Sequence, residues 1–281
     1  MLRFERIWVG SDLQTNAIFR SVARAFVPRS LRPPVRKLWW TLANRRATYV
    51  DGLALPSREL RASMCGPPYE NDEFFVNSVA THARKLVRAV ELTSQTRIVD
   101  VGCGLGRLPM GLIREGHQVQ YLGLDSQDRY VWWCTRYIQR QHPNFQFRHI
   151  NVENERYNPN GEKIAQNFRL PVSDGYADVV QLWGVLTNMS PEHMRVYLSE
   201  VSRILRKGGS VFLTAFAEKG VPAWSFNPPD YVSYPCVGPL HVVRYEDSYL
   251  RSIFSTNALT VKAFAYQTVD EKQSEFHLEK Q

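Results

Sequence analysis

The sequence VDVGCGLG at residues 99–106 decides the fold that we expect for this chain. It ends a short apolar run, residues 97–101, and leads into a segment of helical character, residues 105–115. Its three glycines let the backbone turn tightly and let a ligand approach where a Cβ would stand in the way. The start of the helix adds backbone N–H groups that have no partner inside the helix. The stretch therefore predicts a strand, a ligand-binding turn and a helix.

Two acidic residues indicate what kind of ligand this turn binds. The glycines Gly102, Gly104 and Gly106 follow the spacing G-x-G-x-G, whereas dinucleotide-binding turns follow G-x-G-x-x-G. Asp100, two residues before the first glycine, favours a cationic ligand and repels a pyrophosphate. Asp125 ends the next apolar run, about twenty residues on, where an acid can bind both hydroxyls of a ribose. A cationic nucleoside fits these residues better than a nicotinamide dinucleotide does.

Strand and helix signals alternate from this turn to the C-terminus. A further helix is expected before it, over residues 70–92. The predicted strands are 97–101, 119–125, 145–150, 177–183, 210–216 and 259–266, with residues 276–278 as a candidate last strand. The predicted helices are 105–115, 128–140, 191–205 and 246–254, the third capped by Ser190 and ended by Gly208-Gly209. This alternation predicts a doubly wound α/β fold with a mostly parallel sheet covered on both faces.

The positive charge of the chain is concentrated at its N-terminus. Residues 1–46 contain ten Arg or Lys and two acidic residues, which accounts for the whole formal net charge of +8. Helical spacing of apolar residues predicts helices over 14–27 and 35–42. We expect a basic helical extension or lid at 1–65 and a second domain at 66–281, in which 221–244 is an acceptor-side insertion.

This basic arm suggests several partners. An Arg- and Trp-containing amphipathic helix, here with Trp39 and Trp40, can lie at a membrane surface. Basic clusters also bind nucleic acid, but the rest of the chain is formally neutral and carries no recognised nucleic-acid motif. An arm of this kind can also swap between subunits, so a homo-oligomer stays open.

Cysteine usage and hydropathy bear on metal binding and location. The four cysteines form no C-x-x-C pair and no His cluster has metal-ligand spacing, so we expect free thiols and no metal. No run approaches the roughly 18 apolar residues of a membrane span. We expect a cytoplasmic protein. Membrane association through the basic arm is the alternative.

The glycine turn and its two acids resemble the class I S-adenosylmethionine-dependent methyltransferases. The sequences LPVSDGYADVV at 170–180 and YLSEVSRILRKGG at 197–209 look like that family's approach to strand four and its turn into strand five. The resemblance covers roughly residues 70–266 and implies a Rossmann-like, seven-stranded sheet with S-adenosylmethionine as cofactor.

The resemblance also implies which residues hold that cofactor. By this resemblance, the methionine end of the cofactor would be framed by Asp100, Gly102, Gly104 and Gly106. The ribose would bind Asp125, and the adenine would lie near Asn151 and Val152. Trp183 would line the wall near the transferable methyl. The adenine position often holds an acid, and Asn151 can still accept one hydrogen bond there.

A finer likeness concerns the methyl acceptor. The sequence NERYNPNG at 154–161 resembles a subgroup with the pattern N-x-x-Y-N-P-x-G, which methylates sugars, glycolipids and other natural products in bacteria. This implies a small-molecule or lipid-linked acceptor, with oxygen, such as a sugar hydroxyl, as the first expectation. Methylation of nitrogen or carbon in a natural product remains an alternative.

An alcohol acceptor needs a group that removes its proton, and histidine is the usual choice. The subgroup commonly shows T-H-M after strand four, where this chain has Thr187-Asn188-Met189, and a neutral Asn188 cannot be a base. His241, after the aromatic stretch 221–240, is the candidate base, although a lone histidine is more often structural. Both Asn188 and His241 are therefore candidate catalytic residues.

Three other classes of protein remain open at this point. A nicotinamide-dependent oxidoreductase is disfavoured by the glycine spacing and by Asp100. A scaffold that binds the cofactor without catalysis is compatible with Asn188. A membrane-surface adaptor would work through the basic arm at residues 1–46.

Overall fold

The computed structural model of the chain describes residues 47–165, 167–269 and 272–281. The helices predicted over 14–27 and 35–42, and the surface role of Trp39 and Trp40, lie outside these residues. Within the described part of the chain, no helix is long and apolar enough to cross a membrane.

The described chain contains eleven strands and six α-helices. The strands are β1 (Thr48–Val50), β2 (Leu53–Leu55), β3 (Arg97–Val101), β4 (Gln120–Asp125), β5 (Phe145–His149), β6 (Ala177–Leu182), β7 (Leu205–Glu218), β8 (Trp224–Phe226), β9 (Val243–Glu246), β10 (Leu259–Val269) and β11 (Gln273–Lys280). The helices are α1 (Arg58–Cys65), α2 (Asp72–Ala89), α3 (Arg107–Arg114), α4 (Asp128–Cys134), α5 (Pro191–Ile204) and α6 (Asp247–Thr256). A π-helical turn, Thr135–Gln139, continues α4.

The central sheet has the strand order β10-β11-β7-β6-β3-β4-β5. Strands β5, β4, β3, β6 and β7 are parallel, and β11 runs antiparallel between β7 and β10. The small β9 adds in parallel to the end of β7, and β8 pairs antiparallel with β9. The prediction of a doubly wound, mostly parallel seven-stranded sheet is confirmed.

Alternation along the strands divides the core into two layers. In β3, Ile98 packs with α2 and α3 on one face, while Val99 and Val101 pack with α5 and α6 on the other. Successive strand side chains point to opposite faces, so each face needs its own cover of helices. Asp100 therefore lies on the α2 face, opposite Gly123 of β4 and Gln181 of β6.

Local signals explain where two helices begin. The Asn71 side chain caps α2 by accepting the Phe74 N–H at 2.9 Å, and Ser190 caps α5 by accepting the His193 N–H at 3.4 Å. Side chains that cap the start of a helix in this way satisfy N–H groups that have no partner inside the helix. Pro191 is the first residue of α5, as predicted.

The helix predicted over 191–205 ends one residue earlier than expected, and Gly208-Gly209 do not end it. The helix stops at Ile204, and Leu205 already has extended backbone and pairs with Ala177 of β6. Gly208, with φ of +69°, lies within β7, where the pairing with β6 is irregular. Strand pairing with β6 and the bond from Lys280 Nζ to the Leu205 carbonyl, at 2.9 Å, stop the helix before the glycines.

The predicted domain boundary at residue 65 also needs correction. The compact unit runs from Thr48 to Gln281. Leu53, Leu55 and Leu60 are buried in the same core layer as α2, so β1, β2 and α1 belong to the sheet-containing unit. The short elements β1, β2, α1, β8 and β9 were not predicted, because three or four residues show too little periodicity and α1 is mostly polar.

Candidate functional site

The glycine turn after β3 wraps the end of β4. The Gly102 and Cys103 N–H groups both donate to the Leu124 carbonyl, at 2.7 and 3.0 Å. Gly102, Gly104 and Gly106 have φ values of +79°, +55° and +76°, which residues with a side chain rarely adopt. The backbone conformation therefore favours glycine at each of these positions.

The turn also requires glycine for space. A Cβ at Gly104 would lie 2.4 Å from Met64 Sδ, and one at Gly102 would lie 2.5 Å from Val185 Cγ2. The three glycines leave a space, which we call the cradle, where the atoms of another group can contact the backbone directly. Gly106 is the N-cap residue of α3, whose first N–H groups have no partner inside the helix.

Asp125 closes one side of this cradle at the end of β4. One carboxylate oxygen accepts the Gly104 N–H and the other accepts the Gln127 N–H, each at 2.8 Å. Burial raises the pKa of Asp125, and these two N–H donors partly offset that shift. Each oxygen keeps a further lone pair, so the carboxylate can still accept hydrogen bonds from a ribose.

Asp100 lies at the other side of the cradle and is 3% exposed. The Tyr121 hydroxyl donates to its carboxylate at 2.6 Å. Burial raises the pKa of Asp100 to about 7, the bond from Tyr121 lowers it, Asp125 raises it and Arg107 lowers it. A cation placed beside Asp100 would therefore find a carboxyl group that is ready to ionise near neutral pH.

The loop that follows β5 is held by its own asparagines. Asn158 Nδ2 donates to the Val152 carbonyl at 2.9 Å and to Asn151 Oδ1 at 3.2 Å. Val152 is buried and Asn151 is exposed. A Cβ at Gly161 would lie 2.4 Å from the Val152 backbone, so this glycine permits the tight return of the loop. Asn151 Oδ1 already accepts one hydrogen bond from Asn158. Its second lone pair can accept the one hydrogen bond that the sequence suggested.

Trp183, after β6, is fixed between two side chains of α2. The His82 ring meets it edge-on with centroids 4.5 Å apart, and Lys85 Nζ lies 5.0 Å from the centroid of the indole ring. His82 Nε2 accepts the Gln181 amide at 3.1 Å, which places its hydrogen on Nδ1. Nδ1 is buried and has no hydrogen-bond partner among the residues that the structure describes. No sequence motif links His82 to Trp183, so this contact was not predicted.

Asn188 binds neighbouring loops together instead of facing solvent. Its Nδ2 donates to the carbonyls of Leu240 and His241, at 2.9 and 2.7 Å. Its Oδ1 accepts the Thr187 hydroxyl at 3.1 Å and the Tyr157 hydroxyl at 3.3 Å. With both amide hydrogens and its oxygen engaged, Asn188 holds structure and has no free group for proton transfer.

His241 is oriented in a way that disfavours the predicted base. Its Nδ1 accepts the Val237 N–H at 2.8 Å, so a neutral ring carries its hydrogen on Nε2. The only lone pair in the plane of the ring is then already used. Burial lowers the pKa of His241, and the charge of Arg156 lowers it further. This tautomer makes His241 a hydrogen-bond donor.

The segment 221–244 joins these loops at the same edge of the sheet. Arg156 Nη1, from the loop that follows β5, donates to the Val237 carbonyl at 2.8 Å. Within the segment, β8 exposes 41% of Trp224 and 49% of Phe226. The carboxyl ends of the parallel strands thus carry the cradle at one side. At the other side lies a cover of loops joined by hydrogen bonds, formed by the loop after β5, Asn188 and residues 221–244.

The residues at the cradle fit a ligand with a ribose and a cationic end. Two buried carboxyls flank a glycine-rich turn, and this arrangement suits hydroxyl donors and a positive charge and disfavours phosphates. In the described ranges, no group of three or more His, Cys, Asp or Glu side chains is arranged to hold a metal ion.

Comparison with known proteins agrees with this arrangement. Residues 98–209 match the family model of a methyltransferase domain. The fold is similar to that of the glycopeptide N-methyltransferase MtfA complexed with S-adenosylmethionine, at a TM-score of 0.53 and 10% identity over 73% of this chain and 94% of that one. It is also similar to the PH0226 protein from Pyrococcus horikoshii OT3, at a TM-score of 0.52 and 13% identity over 75% of this chain and 92% of that one.

Proposed function

We propose that this S-adenosylmethionine-dependent methyltransferase methylates a small-molecule or lipid-linked acceptor that reaches the carboxyl edge of its sheet. One observation carries the proposal: Asp100 and Asp125 flank a cradle of positive-φ glycines, and the loops that face it form a separate cover. The cofactor supplies a methyl group on a cationic sulfur, which is already activated for displacement.

The protein residues contribute mainly by positioning. Asp125 offers oxygen acceptors to the ribose, and Asp100 offers negative charge to the cationic end of the cofactor. With the cofactor held by these residues, its methyl group would be in line for transfer to an acceptor atom at the carboxyl edge of the sheet. Holding two reactants in line supplies a large share of such a rate, about 7–11 kcal/mol in favourable cases.

The geometry bears on which atom is methylated. Asn188 has no free donor or acceptor for this step, and the Nδ1 lone pair of His241 is engaged. These contacts favour an acceptor atom that is already unprotonated, an amine nitrogen or an ionised oxygen. A neutral sugar hydroxyl, the first expectation from the sequence, would need a base that neither of these side chains offers.

Residues 221–244 of the cover support a small-molecule or lipid-linked acceptor. Trp224 and Phe226 project from the same face of β8 and are half exposed, which suits the apolar part of a natural product or of a lipid-linked acceptor. The likeness of residues 154–161 to a natural-product subgroup points the same way.

The cofactor half of the proposal is tested by calorimetric titration with S-adenosylhomocysteine. We expect micromolar binding by the intact protein and a loss of at least about tenfold, or 1.4 kcal/mol, in Asp125→Ala. Asp128→Ala is the matched control, because Asp128 is an exposed acid three residues away. Failure of the intact protein to bind would refute the cofactor site, and titration with nicotinamide dinucleotides would then follow.

The acceptor half is tested by following S-adenosylhomocysteine release from S-adenosylmethionine with amines, phenols and sugar alcohols. We expect turnover with a member of the first two classes and a rate that follows the acceptor's own pKa. Methylation of a sugar alcohol that disappears in His241→Asn would overturn the proposed acceptor chemistry. Cofactor binding without turnover on any acceptor would favour the scaffold alternative.

The basic arm has its own test. Residues 1–46 lie outside the described part of the chain, and membrane-surface contact through them is a proposal from sequence alone. Co-sedimentation with anionic liposomes at low salt should fall when residues 1–46 are removed. Equal sedimentation of both proteins would remove the membrane-surface proposal.

A further inference from the structure

Met64, near the end of α1, occupies the glycine cradle. Its Sδ accepts the Leu105 N–H at 3.1 Å and lies 2.4 Å from where a Cβ on Gly104 would stand. The contact joins residues 41 positions apart in the sequence, and no motif in the sequence marks Met64. A thioether therefore lies against the backbone that Gly104 leaves uncovered.

We propose that Met64 competes with the cofactor for this cradle and must leave the Leu105 N–H before the cofactor binds. The inference rests on the proposed function, in which the glycine turn frames the methionine end of S-adenosylmethionine. That end of the cofactor and the Met64 side chain both require contact with the Gly104 backbone. Both cannot fill the space above one glycine.

The Met64 side chain is chemically similar to the ligand with which it competes. A methionine side chain ends in the same thioether that S-adenosylhomocysteine carries. Thioether sulfur is a weak hydrogen-bond acceptor, so the bond from Leu105 is easily exchanged. Met64 thus acts as a weak intramolecular competitor for the methionine subsite.

The side chain moves and the helix stays. Arg61, 1% exposed, bonds the Asp72 carboxylate and the Glu70 carbonyl, which ties α1 to the start of α2. Leu60 is buried in the core, and the Ser63 hydroxyl bonds Tyr130 at 3.0 Å. Methionine is unbranched with three rotatable bonds, so Sδ can swing away while its backbone remains fixed.

The size of the effect follows from population arithmetic. If the cradle is open in only a fraction of molecules, the apparent dissociation constant is raised by the inverse of that fraction. We expect Met64→Ala to bind S-adenosylhomocysteine about tenfold more tightly than the unaltered protein. Met64→Leu keeps the bulk and loses the sulfur acceptor, so its affinity should fall between the two.

Calorimetric titration of these proteins with S-adenosylhomocysteine is the first test, with Met194→Leu as the matched control. Met194 is fully buried in α5, and its substitution should leave the affinity unchanged. Unchanged affinity in Met64→Ala would overturn the competition. Weaker binding would also overturn it, because the side chain would then be helping to hold the ligand.

A second test follows the side chain itself. The chain has five methionines, and labelling their methyl groups with carbon-13 gives one resonance each, that of Met64 being assigned by its loss in Met64→Leu. S-adenosylhomocysteine should shift the Met64 resonance towards that of an exposed methionine, leaving buried Met194 unmoved. Amide exchange in α1 should stay unchanged, because the helix does not move.

The two proposals fail in different ways. A Met64 resonance that stays in place in protein saturated with S-adenosylhomocysteine would overturn the competition and leave the cofactor site intact. Absence of binding by the unaltered protein and by every Met64 variant would refute the cofactor site, and the competition with it.

Discussion

The cradle and the loop cover, at the two sides of one sheet edge, are held together in different ways. In the cradle, Asp100, the glycine turn and Asp125 come from adjacent parallel strands and are joined by backbone groups such as the Gly104 N–H. In the cover, Asn188 reaches 52 and 53 residues along the chain to bond Leu240 and His241. Function that depends on backbone geometry therefore leaves a local pattern in the sequence, whereas function that depends on distant side-chain bonds does not.

The largest effect expected from this contrast is at Gly104. Gly104→Ala should lower affinity for S-adenosylhomocysteine more than about 100-fold, because the new Cβ fills the cradle. The positive φ should also destabilise the fold by roughly 1 kcal/mol. Calorimetric titration and thermal unfolding measure both effects.

Gly175→Ala is the matched control for that change. Gly175 has a similar φ of +62°, and a Cβ there would meet no atom within 4 Å. It should show the loss of stability that the positive φ causes and no loss of affinity. Equal affinities in the two variants would mean that the cradle does not bind the cofactor.

The next effect tests the cover. Asn188→Asp keeps the shape of the side chain but sets a carboxylate against two carbonyls, which should cost about 2 kcal/mol of unfolding free energy. Amide exchange at residues 227–242 should quicken, while affinity for S-adenosylhomocysteine stays within about twofold.

Tyr157→Phe calibrates the Asn188 result. It removes one bond of 3.3 Å to Asn188 and should cost less than about 1 kcal/mol. A large loss of cofactor affinity in Asn188→Asp, with unchanged exchange in the cover, would show that the two sides are not separable as described.

The pH dependence of cofactor binding sharpens the role of Asp100. Because burial raises its pKa to about 7, its carboxyl is mostly protonated at pH 6 and mostly ionised at pH 8. Affinity for the ammonium-bearing S-adenosylhomocysteine should therefore rise about tenfold over that range. The same raised pKa favours folding at low pH, and that contribution is lost as pH rises through about 7.

Two substitutions separate Asp100 from other titrating groups. Asp100→Asn should remove the steep part of the dependence near neutral pH. Tyr121→Phe removes the hydrogen bond that lowers the pKa of Asp100, so the rise in affinity should move to higher pH. A profile that is unchanged in both variants would assign the titration elsewhere.

The smallest effect is expected at His241. Because its Nδ1 accepts the Val237 N–H, His241→Asn should lower turnover by less than about tenfold, whereas loss of a general base costs about 10²–10⁴-fold. Initial rates at saturating acceptor decide between these values. A loss of 100-fold or more, together with a changed pH profile, would restore His241 as the base.

The fold was predicted from the sequence because its signals are local. The glycine turn, Ser190 with Pro191, and the buried face of α2 each depend on residues within one or two turns of chain. The residues that stop α5 were wrongly predicted, because pairing of Leu205 with Ala177 of β6 ends the helix before Gly208. The boundary at residue 65 was missed because Leu53 and Leu60 are buried by α2, a contact that charge patterning does not show.

By itself, the sequence determined the sheet, the glycine turn and the two acids beside it, because backbone conformation and strand order require particular residues at fixed spacing. Only the tertiary structure decided that Asn188 holds loops, that His241 presents a donor, that His82 fixes Trp183, and that Met64 lies in the cradle. Each of these roles depends on which hydrogen-bond or contact partner arrives from a distant part of the chain. Residue type fixes what a side chain can donate or accept, but the packing of the folded chain selects the partner that uses it.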